Sequence, residues 1–572
     1  MRSCMLLFLV IACGPGPRDH DDDGNGSASG ADASPGNCTG DNCNDPCAEA
    51  AASKSYMACE YYAVDLDNAV EVLGAVQPGL SCTVMYGSGV ASSQKVCALG
   101  GSVAGLCDPP DDACPMGYTC QQKQVCVLDA QHSPFAIVVA NPQLVAVDVT
   151  VTPLAGSPIM RTVLAGHVET ILPQHEGVPD QSIDGTGVAK SAYRVTSTLP
   201  IVAYQFNPLD NVDVFSNDAS LLIPRTAFDV EYYALTWPTL DRRHDMTSLS
   251  AHDYHGYVTI VAAKDGTQLE VTPTADVVAS ASQPALPAGT AATFTLNAAE
   301  TLTLEAAGPS GDLSGTHIRA VDGATTFGVF VGHEAAVFGE TTPPDTHNTR
   351  GPCCADHLEE MVFPTSTWGK AFAIARSKPR TNENDVVRIV AGRPGTSVTF
   401  NPSPSSVLEG DCGSLGPGQH CTVKIMVDTA ITATEPVLVG HYLESAIWNG
   451  GGGGAPVTSV GDGDPSLAIA VPVEQFRTEY TILVPNAYDE NFLSIATMSS
   501  TGSVMVNGTA VPLEPAAGGM FRAARYPVPA GQHTIHCPDG CGVEVYGYSD
   551  AVSYMFAGGL DLRAIVLNAP WR

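Results

Sequence analysis

The chain is poor in charge, poorer still in positive charge, and has no long apolar run. Charged residues make up 15% of its 572 positions, and 26 Lys and Arg stand against 60 Asp and Glu, a formal charge of −34. So acidic a surface repels nucleic acid and anionic lipid headgroups, which argues against both as partners. No segment reaches the ~20 apolar residues that a membrane-spanning helix needs. Short catalytic signatures are missing too: there is no GxSxG elbow, no P-loop, no HExxH and no GxGxxG after a strand. His333-Glu334 is only half of a zincin motif, because Val337 stands where a second histidine is required. Nothing calls for a cofactor. Glycoside hydrolysis is the hardest class to exclude, since two separated carboxylates leave no local motif.

What is present begins at the N-terminus. Arg2 precedes a short apolar run, Met5 to Ala12, ending in Val10-Ile11-Ala12-Cys13. This resembles a bacterial lipoprotein signal over residues 1–12, with cleavage before Cys13 and acylation of that cysteine. Gly14 stands where an inner-membrane retention signal places Asp, so the expected location is the outer membrane or cell surface, with lipid as the sole anchor. Residues 13–46 are mostly Gly, Ser, Asn and Asp, and read as a disordered acidic tether. Asp19 to Gly24 opens like a calcium loop, but Gly30 occupies the position of the bidentate acid, so no EF-hand is expected.

Of 18 cysteines, Cys4 leaves with the signal and Cys13 carries lipid. The remaining sixteen suit full pairing in an oxidising compartment. Cys38 and Cys43 are expected to close a small loop, and Cys47 and Cys59 to clip the first strand. Cys82, Cys97, Cys107, Cys114, Cys120 and Cys126 fall in a dense insert, 71–133. That insert has no CxxC pair and no interleaved histidine, so disulfides are preferred over zinc. Cys412 with Cys421, and Cys537 with Cys541, are expected to close hairpins, and Cys353 and Cys354 complete the set.

From Phe135 the pattern is strand after strand. Val145, Val147, Val149 and Val151 alternate with polar or small residues, the period of a half-buried strand. An apolar strand recurs at Pro200–Phe206, Gly328–Glu334 and Pro436–Tyr442. Each is followed by an Asp-containing loop (Asp218, Asp356, Asp464), a strand-leading proline (Pro224, Pro364, Pro472) and a predicted hairpin turning at Gly266, Gly395 or Gly502. Strand start to hairpin glycine measures 66, 67 and 66 residues, a domain-sized register. The expected fold is all-β: repeated antiparallel β-sandwich-like modules, with a small disulfide-rich insert and a disordered N-terminal tether. The boundaries are drawn as a first β region at 47–199, then repeats at 200–327, 328–435 and 436–572, either as separate modules or as lobes sharing one core.

Cys353-Cys354-Ala-Asp356-His357-Leu-Glu-Glu360, running on to Phe363-Pro364 and Trp368-Gly369-Lys370, resembles the signature of the IgG-Fc-binding protein N-terminal domain family. Lys54–Glu60, Asp312–Ile318 and Asp464–Leu467 resemble further blocks, most closely those of bacterial members. The resemblance implies an extracellular binding or adhesive module with no known catalytic activity. It implies no immunoglobulin binding, and no residue is carried over as an Fc contact. The insert departs from the family's usual pattern.

Cys353, Cys354, Asp356 and His357 could together hold a metal. The preferred reading is structural, with paired cysteines and Asp356 capping a turn, because the other repeats keep Asp218 and Asp464 without cysteine or histidine. Gln205, His333 and His441 occupy matching strand ends, where a hydrogen bond to a loop is the plain expectation and a recognition surface the alternative. Two loops, Asp241–His255 and Gly450–Gly454, stand out as places where binding specificity can sit, with tolerated insertion the preferred reading of each. The leading expectation is a surface-displayed binding or adhesion lipoprotein for an extracellular protein or glycan, not an enzyme. Its rivals are an envelope structural protein and a secreted glycan hydrolase.

Overall fold

The structure, a computed structural model, describes residues 45–83, 89–107, 114, 116–209, 216–240, 252–308, 310–338, 352–353, 355–380, 383–447, 463–549 and 552–565. The signal at 1–12, Cys13, Cys38, Cys43, nearly all of the tether, Cys354, the side chain of Cys353, residues 241–251 and Gly450–Gly454 lie outside the described residues.

The described chain opens with a helix, Pro46–Ser53, at the expected end of the tether. Asp45 caps it by accepting from the backbone N–H groups of Cys47 and Ala48, and Pro46 supplies the preset φ of the first turn. A disulfide, Cys47–Cys59, ties the helix to the first strand, Ala58–Ala63.

Everything after it is antiparallel sheet, arranged as two-layer lobes. In the first lobe the strand Tyr193–Asn207 serves both layers. Its first half pairs with Ala58–Ala63 and Val147–Thr152, its second half with Ala136–Ala140 and Asp218–Leu221. Thr429–Leu443 and Gly531–Ser549 do the same in the last two lobes. The second lobe builds its layers from Phe327–Ala336 on one side and His317–Ala320 on the other. The boundaries drawn at 199/200, 327/328 and 435/436 fall inside these long strands. The sequence period marks the recurrence of a strand, and packed units close elsewhere.

The strands flanking Gly266, Gly395 and Gly502 correct the hairpin expectation. Gly256–Ala262 pairs with Thr301–Glu305 and Phe327–Ala336, whereas Thr267–Thr272 pairs with Ala292–Leu296 and His317–Ala320. The turn is an arch from one layer to the other, and the same holds for Asp385–Ala391 with Val398–Asn401 and for Glu490–Thr497 with Val504–Val506. Turn residues look alike in arches and hairpins: Gly266 and Gly395 both take φ +71, open to glycine at little cost. Burial tells them apart. Gly256–Ala262 is buried throughout, as a strand covered on both faces must be, while Thr267–Thr272 alternates.

Among the described residues, the unit of a long strand followed by a short returning strand occurs four times. The short strands are Asp218–Leu221, Asp356–Met361, Ser466–Ile469 and Val552–Ala557. These four pack side by side in a closed ring, first on second, second on third, third on fourth and fourth on first. The lobes therefore surround a common axis, and one hydrophobic cluster runs through them from Tyr56 to Leu562.

The cysteine-rich insert is a separate four-stranded sheet, ordered Val70–Ala75, Thr119–Asp129, Val90–Leu99, Ser102–Leu106. Its apolar clusters are small, and the disulfides Cys82–Cys126, Cys97–Cys114 and Cys107–Cys120 hold it. Cys412–Cys421 and Cys537–Cys541 close short loops in the later lobes.

Candidate functional site

The axis is lined with carboxyl groups. Asp218, Asp356, Asp464, Glu359 and Glu360 are all at most 1% exposed. Asp218 accepts from Ser466 Oγ at 2.7 Å and from the backbone N–H groups of Leu467 and Glu359 at 3.3 Å, so one carboxyl stitches three lobes together. Glu360 accepts from Ser220 Oγ, and Glu359 from Gln205 Nε2. The short axial strands leave edge N–H groups that need acceptors, and these side chains supply them.

Asp356 does not cap a turn. It opens an axial strand, and its Oδ1 accepts from the Asn217 backbone N–H at 2.7 Å. Its Oδ2 and Asp464 Oδ2 are buried with no hydrogen-bond donor. Burial, and for Asp356 the neighbouring acid, disfavour the ionised forms of the two carboxyls. Burial pushes Asp464 up to about 8, and burial plus the neighbouring acid pushes Asp356 well above the usual range. An acid held protonated in the fold but ionised when unfolded stabilises below about pH 4, and that contribution is lost as pH rises through 8. Asp464→Asn keeps a donor without needing the proton. We expect its urea midpoint to match the parent near pH 4 and to exceed it increasingly towards pH 8, the advantage growing by about 1.4 kcal/mol for each pH unit over that interval.

His357 is fully buried beside Glu359, 3.8 Å away, and its ring lies against Tyr257. Burial drives it down to about 3, so it is neutral. Among the described residues, none of the ligand-type groups gathered within 4.8 Å of one another includes Asp356 or His357.

The matching strand ends solve one burial problem in three ways. Gln205 exchanges two 3.0 Å hydrogen bonds with the Val64 backbone. His333 donates from Nε2 to the Pro238 carbonyl and accepts at Nδ1 from the Ala335 N–H, so it is neutral and pushed down to about 4 by burial. His441 places Nδ1 2.9 Å from Glu544 and Nε2 2.8 Å from Asp385. Two carboxylates outweigh burial there and hold it as imidazolium, up to about 10.

The open site lies where the second lobe meets the third. Asp312, Ser314 and Thr274 form one wall, and the Glu409–His420 segment, clipped by Cys412–Cys421, forms the other, around a cavity of about 580 Å³. Gly315 and Gly418 bring the walls so close that a Cβ on Gly315 would sit 1.7 Å from the Gly418 carbonyl oxygen. Arg388 is fully buried beneath. Its guanidinium donates to Asp312 at 2.6 Å, Glu409 at 3.0 Å, Ser314 Oγ and the Thr236 carbonyl, and stacks 4.4 Å from the Trp237 ring centroid. Arg388 and His420 hold Asp312 down to about 2. The site is polar, acidic at its rim and fixed from below.

Among the described residues, besides Asp312, Glu409 and His420 of this groove, two groups of side chains have ligand atoms close enough for a metal: His252, His255 and Glu334; and Asp67, Glu305 and Glu334. Cys97, Cys107 and Cys114 are also close, but all three are in disulfides. Of the loop Asp241–His255, only its last four residues are described, and two of them are these histidines. Sequence reasoning does not pick out Arg388, Glu409, His420, Asp67 or Glu305, although a lone arginine inside Val386–Ala391 is a visible signal.

These features define an all-β, disulfide-clipped scaffold whose lobes present loops and one fixed polar groove, the construction of a binding protein. Residues 218–547, more than half of the chain, match the family model described as IgGFc binding protein, and the chain belongs to that family. It is thus a binding domain of extracellular type. No curated protein matches the chain. No helix among the described residues is long and apolar enough to cross a membrane.

Proposed function

We propose that the chain is a cell-surface binding or adhesion lipoprotein, acylated at Cys13 and held off the outer membrane by residues 13–46, which captures an extracellular partner and catalyses nothing. The observation that carries this reading is the groove between the second and third lobes, within the family-matched segment. Its rim acids Glu409 and Asp411 are exposed, and behind them the lining is the Asp312 carboxylate, the His420 ring, Leu415 and hydroxyl, amide and backbone groups. Such a lining suits a partner face with basic and hydrogen-bonding groups, a protein surface before a neutral glycan. The disulfides fit an oxidising compartment, and acylation at Cys13 would supply the anchor.

The test is a binding screen of the exported full-length protein against cell-surface proteins and glycans, repeated with Asp411→Lys. Capture of a basic protein partner, weakened at least ~10-fold by the substitution and by added salt, is the expected result. Binding insensitive to Asp411→Lys, or turnover of a glycan, would sink it. Radiolabelled palmitate should label the parent and not Cys13→Ser.

A further inference from the structure

Beneath the first and second lobes lies a cluster that the groove does not explain. Asp67, Glu305, Glu334 and His255 are each at most 5% exposed, and His252 closes the cluster from the solvent side. Asp67 follows the first strand immediately before the cysteine-rich insert. Glu305 and Glu334 sit in the two strands that flank Gly256–Ala262 in the second lobe's inner layer, and His255 leads into that middle strand. We propose that these residues form a binding site for a first-row transition-metal dication of the zinc class, with His252, His255 and Glu334 as ligands and Asp67 and Glu305 completing the shell.

Three observations carry it. First, the ligand atoms of His252, His255 and Glu334 all lie within 4.8 Å of one another, as do those of Asp67, Glu305 and Glu334, so Glu334 joins the two sets. His252 Nε2 is 3.1 Å from Glu334 Oε1.

Second, the orientation is prepared from outside. His255 Nδ1 donates to the Ala306 carbonyl at 2.7 Å, which fixes the tautomer and leaves Nε2 as a lone-pair donor without a hydrogen-bond partner among the described residues. Backbone N–H groups hold the acids in the same way. Gly185 donates to Asp67 Oδ2 at 2.7 Å, Thr186 to Glu305 Oε2 at 3.2 Å and His255 to Glu334 Oε2.

Third, the charge is unbalanced. Among the described residues no lysine or arginine makes an ion pair with Asp67, Glu305 or Glu334. Buried carboxylates without cations take up either protons or a metal. Two imidazoles in the set favour zinc-class ions over calcium or magnesium, which prefer all-oxygen shells. A bound ion would pin the base of the insert to the second lobe, because Asp67 and the insert's first strand, Val70–Ala75, are three residues apart.

The experiment takes the exported full-length protein, strips it with EDTA and titrates ZnCl2 and CaCl2 separately, reading calorimetric affinity, metal content and Tm. One zinc per chain, a rise in Tm with zinc and none with equal calcium are expected. His252→Gln, at a partly exposed position that leaves the fold intact by near-UV circular dichroism, should weaken zinc binding at least ~10-fold, and His255→Gln at least as much. His536→Gln, a surface histidine paired with Glu479, should change nothing. No zinc binding, unaltered zinc binding in His252→Gln, or calcium binding in preference to zinc would each overturn the proposal and leave protons as the occupants.

Discussion

Arg388→Met should lower the unfolding free energy by about 3–5 kcal/mol at neutral pH, the ordinary cost of removing one partner from a buried ion pair. Arg388 is 1% exposed, and its guanidinium meets two carboxylates, two hydroxyls and a carbonyl. Methionine fills much of the volume but leaves Asp312 desolvated, without the guanidinium that faces it. The pH dependence identifies the cause. Asp312, held down to about 2, contributes stability that is present above about pH 4 and lost as pH falls through 2. Arg388→Met should flatten that acid limb. Arg388→Met with Asp312→Asn should recover part of the loss, because the orphaned charge goes too. Urea unfolding of the parent, Arg388→Met, Asp312→Asn and the double variant closes the cycle. Equal losses in the single and double variants would show that packing against Trp237, and not charge, is what Arg388 supplies.

His441→Gln should cost a similar ~3–5 kcal/mol near pH 6, because it takes the imidazolium from between Asp385 and Glu544 and leaves Arg376, 3.9 Å from Asp385, as the remaining cation. The sign with pH is opposite to that of Asp312. A histidine raised to about 10 in the fold stabilises fully below its unfolded value of 6.5, and that contribution is lost as pH rises through 10. Asp385, held low by His441 and by Ser377, loses its share as pH falls below about 4. The gap between parent and His441→Gln should be widest from about pH 4 to 6.5 and should narrow steadily up to pH 10. A gap that does not change over that range would mean that the imidazole is neutral. His333→Gln, at the matching position, should show no such narrowing, since that ring is neutral throughout.

Much of the fold is legible because it is written in local signals. The alternation at Val147, Val149 and Val151 is a strand whose valines are buried and whose intervening residues are not. Val145, at the head of the same alternation, is 58% exposed and outside the strand, since its side chain has no facing layer. The disulfides that clip the insert and the later loops can be anticipated as pairings in general. Connectivity within the insert cannot, because it depends on which of its strands lie side by side. The arches at Gly266, Gly395 and Gly502 look like hairpins in sequence, since a turn residue reports that the chain reverses and not which layer it enters.

The sites are far less legible. Asp218, Asp356 and Asp464 are visible as a recurring residue, and their spacing gives the repeat. That they converge on one axis, where burial raises Asp356 and Asp464, follows only from the closure of four lobes. Arg388 is detectable as a charge in an apolar strand, but its partners Asp312 and Glu409 come from segments 76 and 21 residues away. Asp67 and Glu334 lie still further apart, and nothing in the run of residues around either one points to the other.

By itself the sequence determined the all-β class, the register of the repeats and the family, because each rests on residues that are neighbours along the chain or recur at a fixed interval. Tertiary structure alone decided the ring of short strands, the groove and the buried carboxyl clusters. A carboxyl's behaviour depends on what surrounds it within a few ångströms, and in an antiparallel protein of this length those surroundings are assembled from strands hundreds of residues apart.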